Sequence, residues 1–222
     1  MARWEPQRRD VIESVADEVL HNYAHGRVIV AIDGVDGAGT TDFATDLVEV
    51  LKKRGHSAFH ASVDDFHAPR SRRYAQGEES GAGRYNDSYD YSVLRRVLVD
   101  PFRMGGSTGF VAAHFDWRRD QPIQPKWLTA PEDAILVLDG VFLQRPELRG
   151  LWNYSVWLDV PSKDAWARLV AADPLSYDDT AWARSKAGQK LYLKDVKARE
   201  LASAIIDNTD PEHPRRVFAD SC

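Results

Sequence analysis

The apolar positions of the chain follow two different periods. Helical spacing over residues 11–23 and 40–54 predicts two amphipathic helices. Between them, residues 27–32 form a short β-branched apolar run of the kind that occupies strands buried on both faces. Similar runs predict three further strands, over residues 58–63, 134–138 and 154–159.

Helices predicted later in the chain complete an alternating order. They cover residues 162–171 and 194–206. Strands that alternate with helices indicate an α/β fold, with a parallel sheet and helices on both faces. The length suits one domain over residues 1–222. Residues 69–90 and 103–131 lack clear periodicity, and loops this long in a compact domain are usually functional.

A glycine-rich segment directly follows the first predicted strand. Residues 34–41 have the spacing of a P-loop, G-x-x-x-x-G-K-[ST]. Glycines allow backbone turns that direct successive N–H groups at phosphate oxygens, and the N-terminus of the next helix adds positive potential. The expected nucleotide-binding residues are Gly34, Val35, Asp36, Gly37, Ala38, Gly39, Thr40 and Thr41. Thr41 stands where the hydroxyl that binds magnesium belongs.

The position of the P-loop lysine departs from this pattern, because it is occupied by Thr40. That lysine normally reaches the β- and γ-phosphates and neutralises charge as the phosphoryl group moves. Loss of one preorganised donor of this kind costs about 10²–10³ in rate. The loop alone therefore leaves two interpretations open, a phosphate site and a structural turn.

Composition and charge narrow the class of protein. The formal net charge of −5 gives no indication of binding to nucleic acid or to a membrane surface. No run of about 18 apolar residues could span a bilayer, and the N-terminus lacks the apolar stretch of a signal peptide. The single cysteine, Cys222, allows no disulfide within the chain. We expect a soluble, cytoplasmic protein, whose clustered arginines suit a small phosphorylated ligand.

The ordered set of motifs resembles the uridine kinase family, and more broadly the P-loop kinases of small hydroxylated metabolites, such as pantothenate kinase and phosphoribulokinase. Its blocks, which span roughly residues 27–211, are the glycine-rich loop and residues 62–70 (SVDDFHAPR), 84–90 (RYNDSYD), 138–143 (LDGVFL) and 207–211 (DNTDP). The resemblance implies the three-layer P-loop NTPase fold, with a lid and loops that cap the substrate.

The resemblance also implies an activity and its residues. The activity is phosphoryl transfer from ATP, with Mg²⁺, to a hydroxyl group of a nucleoside or a similar small metabolite. Asp64 matches the carboxylate that accepts the proton of that hydroxyl, and Asp139 matches the acidic residue that helps Thr41 to hold magnesium. Arg168 would close over the phosphates from the lid. The implied substrate-binding residues are Tyr85, Asp87, His114, Phe115 and Arg118.

Two departures from the family pattern keep a second interpretation open. Thr40 replaces the lysine, and the Arg-Asp pair expected four residues after Arg168 is replaced by residues 172–173, Ala-Asp. Arg184 and Lys186 follow as candidate substitutes. The alternative to a kinase is a non-catalytic or weakly active protein that binds a nucleotide or metabolite. The acceptor, the choice between ATP and GTP, and assembly into a homo-oligomer are left open.

Overall fold

The computed structural model describes residues 6–23 and 25–218, so Cys222 lies outside the described residues. The strands in the described part are β1 (Val28–Gly34), β2 (Ala58–Ser62), β3 (Phe110–Val111), β4 (Phe115–Asp116), β5 (Gln121–Pro122), β6 (Trp127–Leu128), β7 (Ile135–Gly140), β8 (Tyr154–Asp159), β9 (Ala204–Asp207) and β10 (Arg215–Val217). The α-helices are α1 (Arg8–Asn22), α2 (Thr40–Lys53), α3 (Arg70–Arg73), α4 (Gly81–Asp87), α5 (Tyr91–Leu94), α6 (Asp100–Met104), α7 (Ser162–Ala172), α8 (Asp179–Asp195) and α9 (Ala198–Leu201). Within these ranges, no helix combines the length and apolar character that a membrane crossing requires.

A six-stranded sheet forms the centre of the fold, in the order β10-β9-β8-β1-β7-β2. Strands β2, β7, β1, β8 and β9 run parallel, and β10 pairs antiparallel with β9 at the edge. Every residue of β1 and β7 is buried, which explains why unbroken apolar runs mark both strands in the sequence. Helices flank this sheet, with α2 packed on β1, β2 and β7. The predicted α/β fold with a parallel sheet is confirmed.

The predicted helix over residues 194–206 is wrong. Helix α8 ends at Asp195, α9 is a single short turn, and Ile205 and Ile206 belong to β9, which extends the sheet beside β8. The longest helix of this region, α8, was not predicted because most of its buried positions carry polar residues or glycine. These positions are Arg184, Ser185, Gly188, Gln189 and Tyr192. An apolar stripe of helical period is therefore missing from the sequence.

The two stretches without clear periodicity contain short elements. Residues 69–90 hold α3 and α4, while residues 103–131 hold two small antiparallel ribbons, β3 with β6 and β4 with β5. Elements of two to seven residues are too short to produce a periodic pattern, which is why both stretches resemble loops in the sequence.

Helices α4 and α8 pack with their backbones close together because glycines line the contact. A Cβ atom on Gly81 would lie 2.4 Å from the Cβ of Ala187, and a Cβ atom on Gly188 would lie 2.6 Å from the Cγ of Arg84. Any side chain at these two positions would push the helices apart. The contact therefore fixes the position of Arg84 relative to α8.

We expect Gly81→Ala to lower the free energy of unfolding by about 1–3 kcal/mol, because the added methyl group overpacks the α4–α8 contact. Gly83→Ala on the same helix is the matched control, since the nearest atoms to its Cβ would lie at 3.5 Å. That change should be neutral, or stabilise by up to about 1 kcal/mol through helix propensity. Urea unfolding followed by circular dichroism measures both variants, and equal effects would contradict the close packing.

Candidate active site

A cleft of about 760 Å³ opens at the carboxyl ends of three parallel strands. The segment after β1, Asp64 just after β2, and Gly140 at the end of β7 all line it, together with side chains of α4, α7 and α8. In open parallel sheets, ligands bind in the crevice outside this edge. The cleft therefore gathers the glycine-rich loop and Asp64 into one region of the fold, next to the end of β7 that carries Asp139.

The backbone of the glycine-rich loop has conformations that favour glycine. Gly37 and Gly39 have φ angles of +83° and +88°, and a Cβ atom on Gly37 would lie 2.2 Å from the carbonyl oxygen of Ala165. The side-chain amide of Asn208 donates a hydrogen bond of 2.8 Å to the carbonyl oxygen of Ala38. The sequence motif is thus a tight turn that is held from two sides.

The loop leads directly into the N-terminus of α2, and this helix end faces the cleft. Gly37, Gly39, Thr40 and Thr41 line the cleft beside Val35. The unpaired N–H groups and the dipole of a helix N-terminus favour an anion in this position. Such a turn at the start of a 14-residue helix has the properties of a phosphate-binding loop.

Asp139, at the end of β7, is the buried centre of a second group. Its side chain is 1% exposed and accepts a hydrogen bond of 2.6 Å from the hydroxyl group of Thr41. The Nε2 atom of His60 on β2 lies 2.7 Å from the other carboxylate oxygen. Magnesium is usually held by one or two protein oxygens together with water and phosphate oxygens. The Thr41–Asp139 pair fits that ion.

His60 is a site residue that the sequence analysis missed. It belongs to β2, whose register with β7 pairs His60 with Val137 and Ser62 with Asp139. His60 and Ser62 lie on the same face of their strand, because side chains two residues apart in a strand share a face. Only the strand pairing, which spans 79 residues, brings the imidazole to the carboxylate.

Asp64 presents its carboxylate to the cleft, with 53% of the side chain exposed. The hydroxyl group of Tyr89 donates a hydrogen bond of 2.9 Å to its Oδ1 atom. Protein atoms on the other sides of the carboxylate desolvate it and raise the pKa of Asp64 to about 6, against the lowering effect of the Arg84 guanidinium. A carboxylate with a pKa near neutrality is well suited to accept a proton.

His67 supports the turn that carries Asp64. Its Nδ1 atom donates a hydrogen bond of 2.8 Å to the main-chain carbonyl oxygen of Asp64, because a carbonyl group can only accept. Burial lowers the pKa of His67 to about 3, with a further contribution from the charge of Arg84, so the imidazole is neutral. Its ring also lies against Trp117, at a centroid distance of 5.8 Å.

Arg84 connects the glycine-rich loop with the environment of Asp64. Its Nη2 atom donates a hydrogen bond of 2.8 Å to Asp36 in the loop, and its Nη1 atom donates one of 3.2 Å to the hydroxyl group of Tyr89. Burial alone would raise the pKa of Asp36, but Arg84 and the hydroxyl group of Ser185 outweigh burial and lower it. Arg84 is the first residue of the sequence block 84–90, but the sequence does not indicate that it connects Asp36 with Tyr89.

The arginines expected to close over the phosphates make other contacts. Arg168 lines the cleft, and its Nη2 atom donates to the carbonyl oxygens of Asn208 and Thr209 at 2.9 and 2.7 Å. Arg184 is buried and donates to main-chain carbonyl oxygens, among them those of residues 73, 77 and 80. The exposed Lys186 has its ammonium group 5.5 Å from the ring centre of Trp182. The role of Arg168 in catalysis stays a prediction.

The five predicted substrate-binding residues, Tyr85, Asp87, His114, Phe115 and Arg118, are not among the described residues that line the cleft. Tyr85 is buried against Phe142, and Asp87 accepts a hydrogen bond of 2.6 Å from Gln76. Arg118 stacks on Trp117 and forms an ion pair with Asp173 at 3.5 Å. The aromatic residues that do line the cleft are Tyr74, Trp117, Trp166 and Tyr177. Substrate binding by the predicted five stays a prediction.

Three solved structures with a similar fold are described as kinases. A possible uridine kinase from Bacillus stearothermophilus aligns with a TM-score of 0.71 and 24% identity, over 89% of this chain and 97% of that chain. The fold is that of the P-loop kinases. This P-loop kinase fold also occurs in a candidate fructose transport system kinase from Silicibacter sp. TM1040, with a TM-score of 0.64 and 22% identity over 86% of this chain and 94% of that chain. A D-glycerate 3-kinase from Cryptococcus neoformans aligns with a TM-score of 0.55 and 12% identity, over 82% and 86% of the two chains.

At these identities, the likeness to P-loop kinases is one of fold. No family model and no curated protein matches the sequence. The structural neighbours, which include a possible uridine kinase, confirm the resemblance that the ordered motifs predict.

We expect Tyr89→Phe to raise the pKa of Asp64 above about 6, because the hydrogen bond from Tyr89 favours the ionised carboxylate. Tyr91→Phe is the control, since it removes a neighbouring buried hydroxyl group that does not belong to the hydrogen-bonded set around Asp64. The ¹³C resonance of the Asp64 carboxyl carbon, followed with pH and assigned with Asp64→Asn, measures the pKa. A value near 4 in the unmodified protein would contradict the described environment.

Proposed function

We propose that the protein transfers the γ-phosphoryl group of ATP to a hydroxyl group of a nucleoside or a similar small alcohol. The observation that carries this proposal is the arrangement of three groups around one cleft: the glycine-rich loop, the Thr41–Asp139 pair and Asp64. These groups suit three separate tasks, which are phosphate binding, magnesium binding and proton acceptance. The shared fold with kinases supports the same assignment.

In the proposed reaction, the oxygen of the acceptor hydroxyl group forms a bond to the γ-phosphorus of ATP. The bond between that phosphorus and the β–γ bridging oxygen breaks, and ADP leaves. The proton of the hydroxyl group passes to the carboxylate of Asp64. The loop and the N-terminus of α2 would bind the phosphate groups. Thr41 and Asp139 would hold the magnesium ion that accompanies ATP and offsets the charge of its phosphates.

The acceptor is proposed to bind next to Asp64, among the aromatic residues of the cleft. Trp117 lies against His67, which is hydrogen-bonded to the main chain of Asp64. Tyr74 and Arg70 line the same cleft. Aromatic faces and a guanidinium group suit a flat, polar ring such as a nucleobase. A possible uridine kinase among the structural neighbours makes nucleosides the first acceptors to test.

A second candidate function rests on Thr40. Without the lysine of the loop, binding of a nucleotide is expected to survive better than phosphoryl transfer, because the loop binds phosphate largely through backbone N–H groups. A protein that binds a nucleotide or metabolite with little or no turnover would account for this substitution. Turnover distinguishes the two candidates.

We expect Asp64→Asn to reduce phosphoryl transfer by about 10²–10⁴-fold while ATP binding is retained, because the amide cannot accept the proton. Asp65→Asn is the matched control, since it changes the adjacent carboxylate and leaves Asp64 intact. The assay follows the label from [γ-³²P]ATP into a panel of nucleosides, sugars and hydroxy acids. Failure to label any acceptor would favour the binding protein, and equal loss in both variants would contradict the role of Asp64.

A further inference from the structure

The missing lysine leaves the loop without a cation of its own, so another residue must offset the phosphate charge if transfer occurs. Several arginines that line the cleft donate to other protein groups. Arg168 and Arg184 donate to main-chain carbonyl oxygens, and Arg73 donates to Asp120 and to the carbonyl oxygen of Trp117. Arg84 differs from these three, because its partners are themselves part of the proposed phosphate and proton-transfer sites.

Arg84 lies between the glycine-rich loop and Asp64, the proposed proton acceptor. One hydrogen bond joins it to Asp36 in the loop, and Tyr89 relays a second to Asp64. Its positive charge favours the ionised form of both Asp36 and Asp64. It lowers the pKa of Asp36 and counteracts the rise that burial causes in the pKa of Asp64. The phosphoryl group that is transferred must pass between the loop and the acceptor hydroxyl group. Arg84 lines the same cleft as the loop and Asp64.

The surroundings of Arg84 hold its guanidinium in place before a ligand binds. The carbon atom of the guanidinium lies 5.3 and 5.2 Å from the ring centres of Tyr89 and Phe142. Gly188 leaves room for its aliphatic stem at the α4–α8 contact, and the side chain is only 13% exposed. A preorganised charge requires little reorganisation when charge develops in a reaction, which is the condition for effective electrostatic stabilisation.

We propose that Arg84 supplies the positive charge that Thr40 does not, by donating to the γ-phosphate of bound ATP. This inference rests on the proposed function. Its hydrogen bonds to Asp36 and Tyr89 use two of the five N–H donors of the guanidinium, and a guanidinium is well matched to phosphate oxygens. Asp36 offsets part of the charge, so Arg84 is a weaker substitute than a free lysine. Arg84 is thus a catalytic residue of the proposed transfer.

The affinities of Arg84→Gln for ATP and for ADP, both with magnesium, test this assignment. Contact with the γ-phosphate predicts that ATP binding weakens by about 10–100-fold, while ADP binding changes by less than about threefold. Thr40→Lys, added to Arg84→Gln, should restore at least about tenfold of the lost ATP affinity, because it places the charge on the loop itself. Displacement of a fluorescent nucleotide measures both affinities, for ATP and for ADP, in the unmodified protein and in each variant.

Two controls separate charge from packing. Arg145→Gln also removes a buried guanidinium that lies against aromatic rings, those of Tyr85 and Tyr91, but outside the cleft. It should not change the preference for ATP over ADP. Arg84→Lys keeps the charge and should retain ATP affinity within about fivefold, so it tests the proposal if Arg84→Gln does not fold.

The possible outcomes distinguish the inference from the proposed function. If the unmodified protein binds neither nucleotide, the proposed function and this inference are both wrong. If the unmodified protein binds ATP, two results would overturn the inference alone. One is unchanged ATP affinity in Arg84→Gln, and the other is an equal loss of ATP and ADP that Thr40→Lys does not restore. The second result would mean that Arg84 only holds the loop through Asp36.

Discussion

The arrangement of the cleft depends on the hydrogen bonds of one buried carboxylate, that of Asp139. A carboxylate that is 1% exposed must be paired with polar partners, because an unpaired buried charge is very costly. Its partners come from the start of α2, through Thr41, and from β2, through His60. The requirement for partners therefore ties the glycine-rich loop and β2 to the end of β7. A second link, from Asp36 through Arg84 and Tyr89, then joins the same loop to Asp64.

The balance of charges in the cleft explains why the positive charge of Arg84 is important for the proposed binding of ATP. Asp36, Asp64 and Asp139 bring three carboxylates close to a place where the phosphate groups of ATP would add further negative charge. Burial raises the pKa of Asp64 to about 6, and the negative charges of Asp139 and Asp36 add to this rise. In most P-loop proteins a lysine and magnesium share the compensation. Here Arg84, held by Asp36 and Tyr89, is the cation that the fold places between the loop and Asp64.

The sequence predicts those parts of the molecule whose burial follows a simple pattern. Strands β1 and β7 are unbroken apolar runs because both of their faces are covered, and the glycine-rich loop follows from its spacing and its φ requirements. The sequence does not predict α8, because its buried positions include Arg184 and Gln189, which hydrogen-bond inside the fold. Polar burial of this kind has no apolar period for a sequence to display.

The bridging residues of the site are invisible in the sequence for a related reason. Arg84 and Asp36 are separated by 48 residues, and His60 and Asp139 by 79, so both pairs exist only after the helices and strands have packed. Local propensity carries no information about such contacts. The resemblance to a family supplied Asp64 and Asp139, because their motifs are short and ordered. Its block 84–90 includes Arg84, but the contact of this arginine with Asp36 depends on how the helices pack.

The proposed function requires the glycine-rich loop to bind phosphate although Thr40 occupies the position of the lysine. Isothermal titration calorimetry of the unmodified protein measures this binding, with ATP and with a non-hydrolysable analogue, each in the presence and absence of magnesium. A working phosphate site should give saturable heats for both nucleotides, with Kd values in the micromolar range that depend on magnesium. The absence of heat with both nucleotides in the presence of magnesium would contradict it, and the P-loop kinase fold would then serve another purpose in this protein.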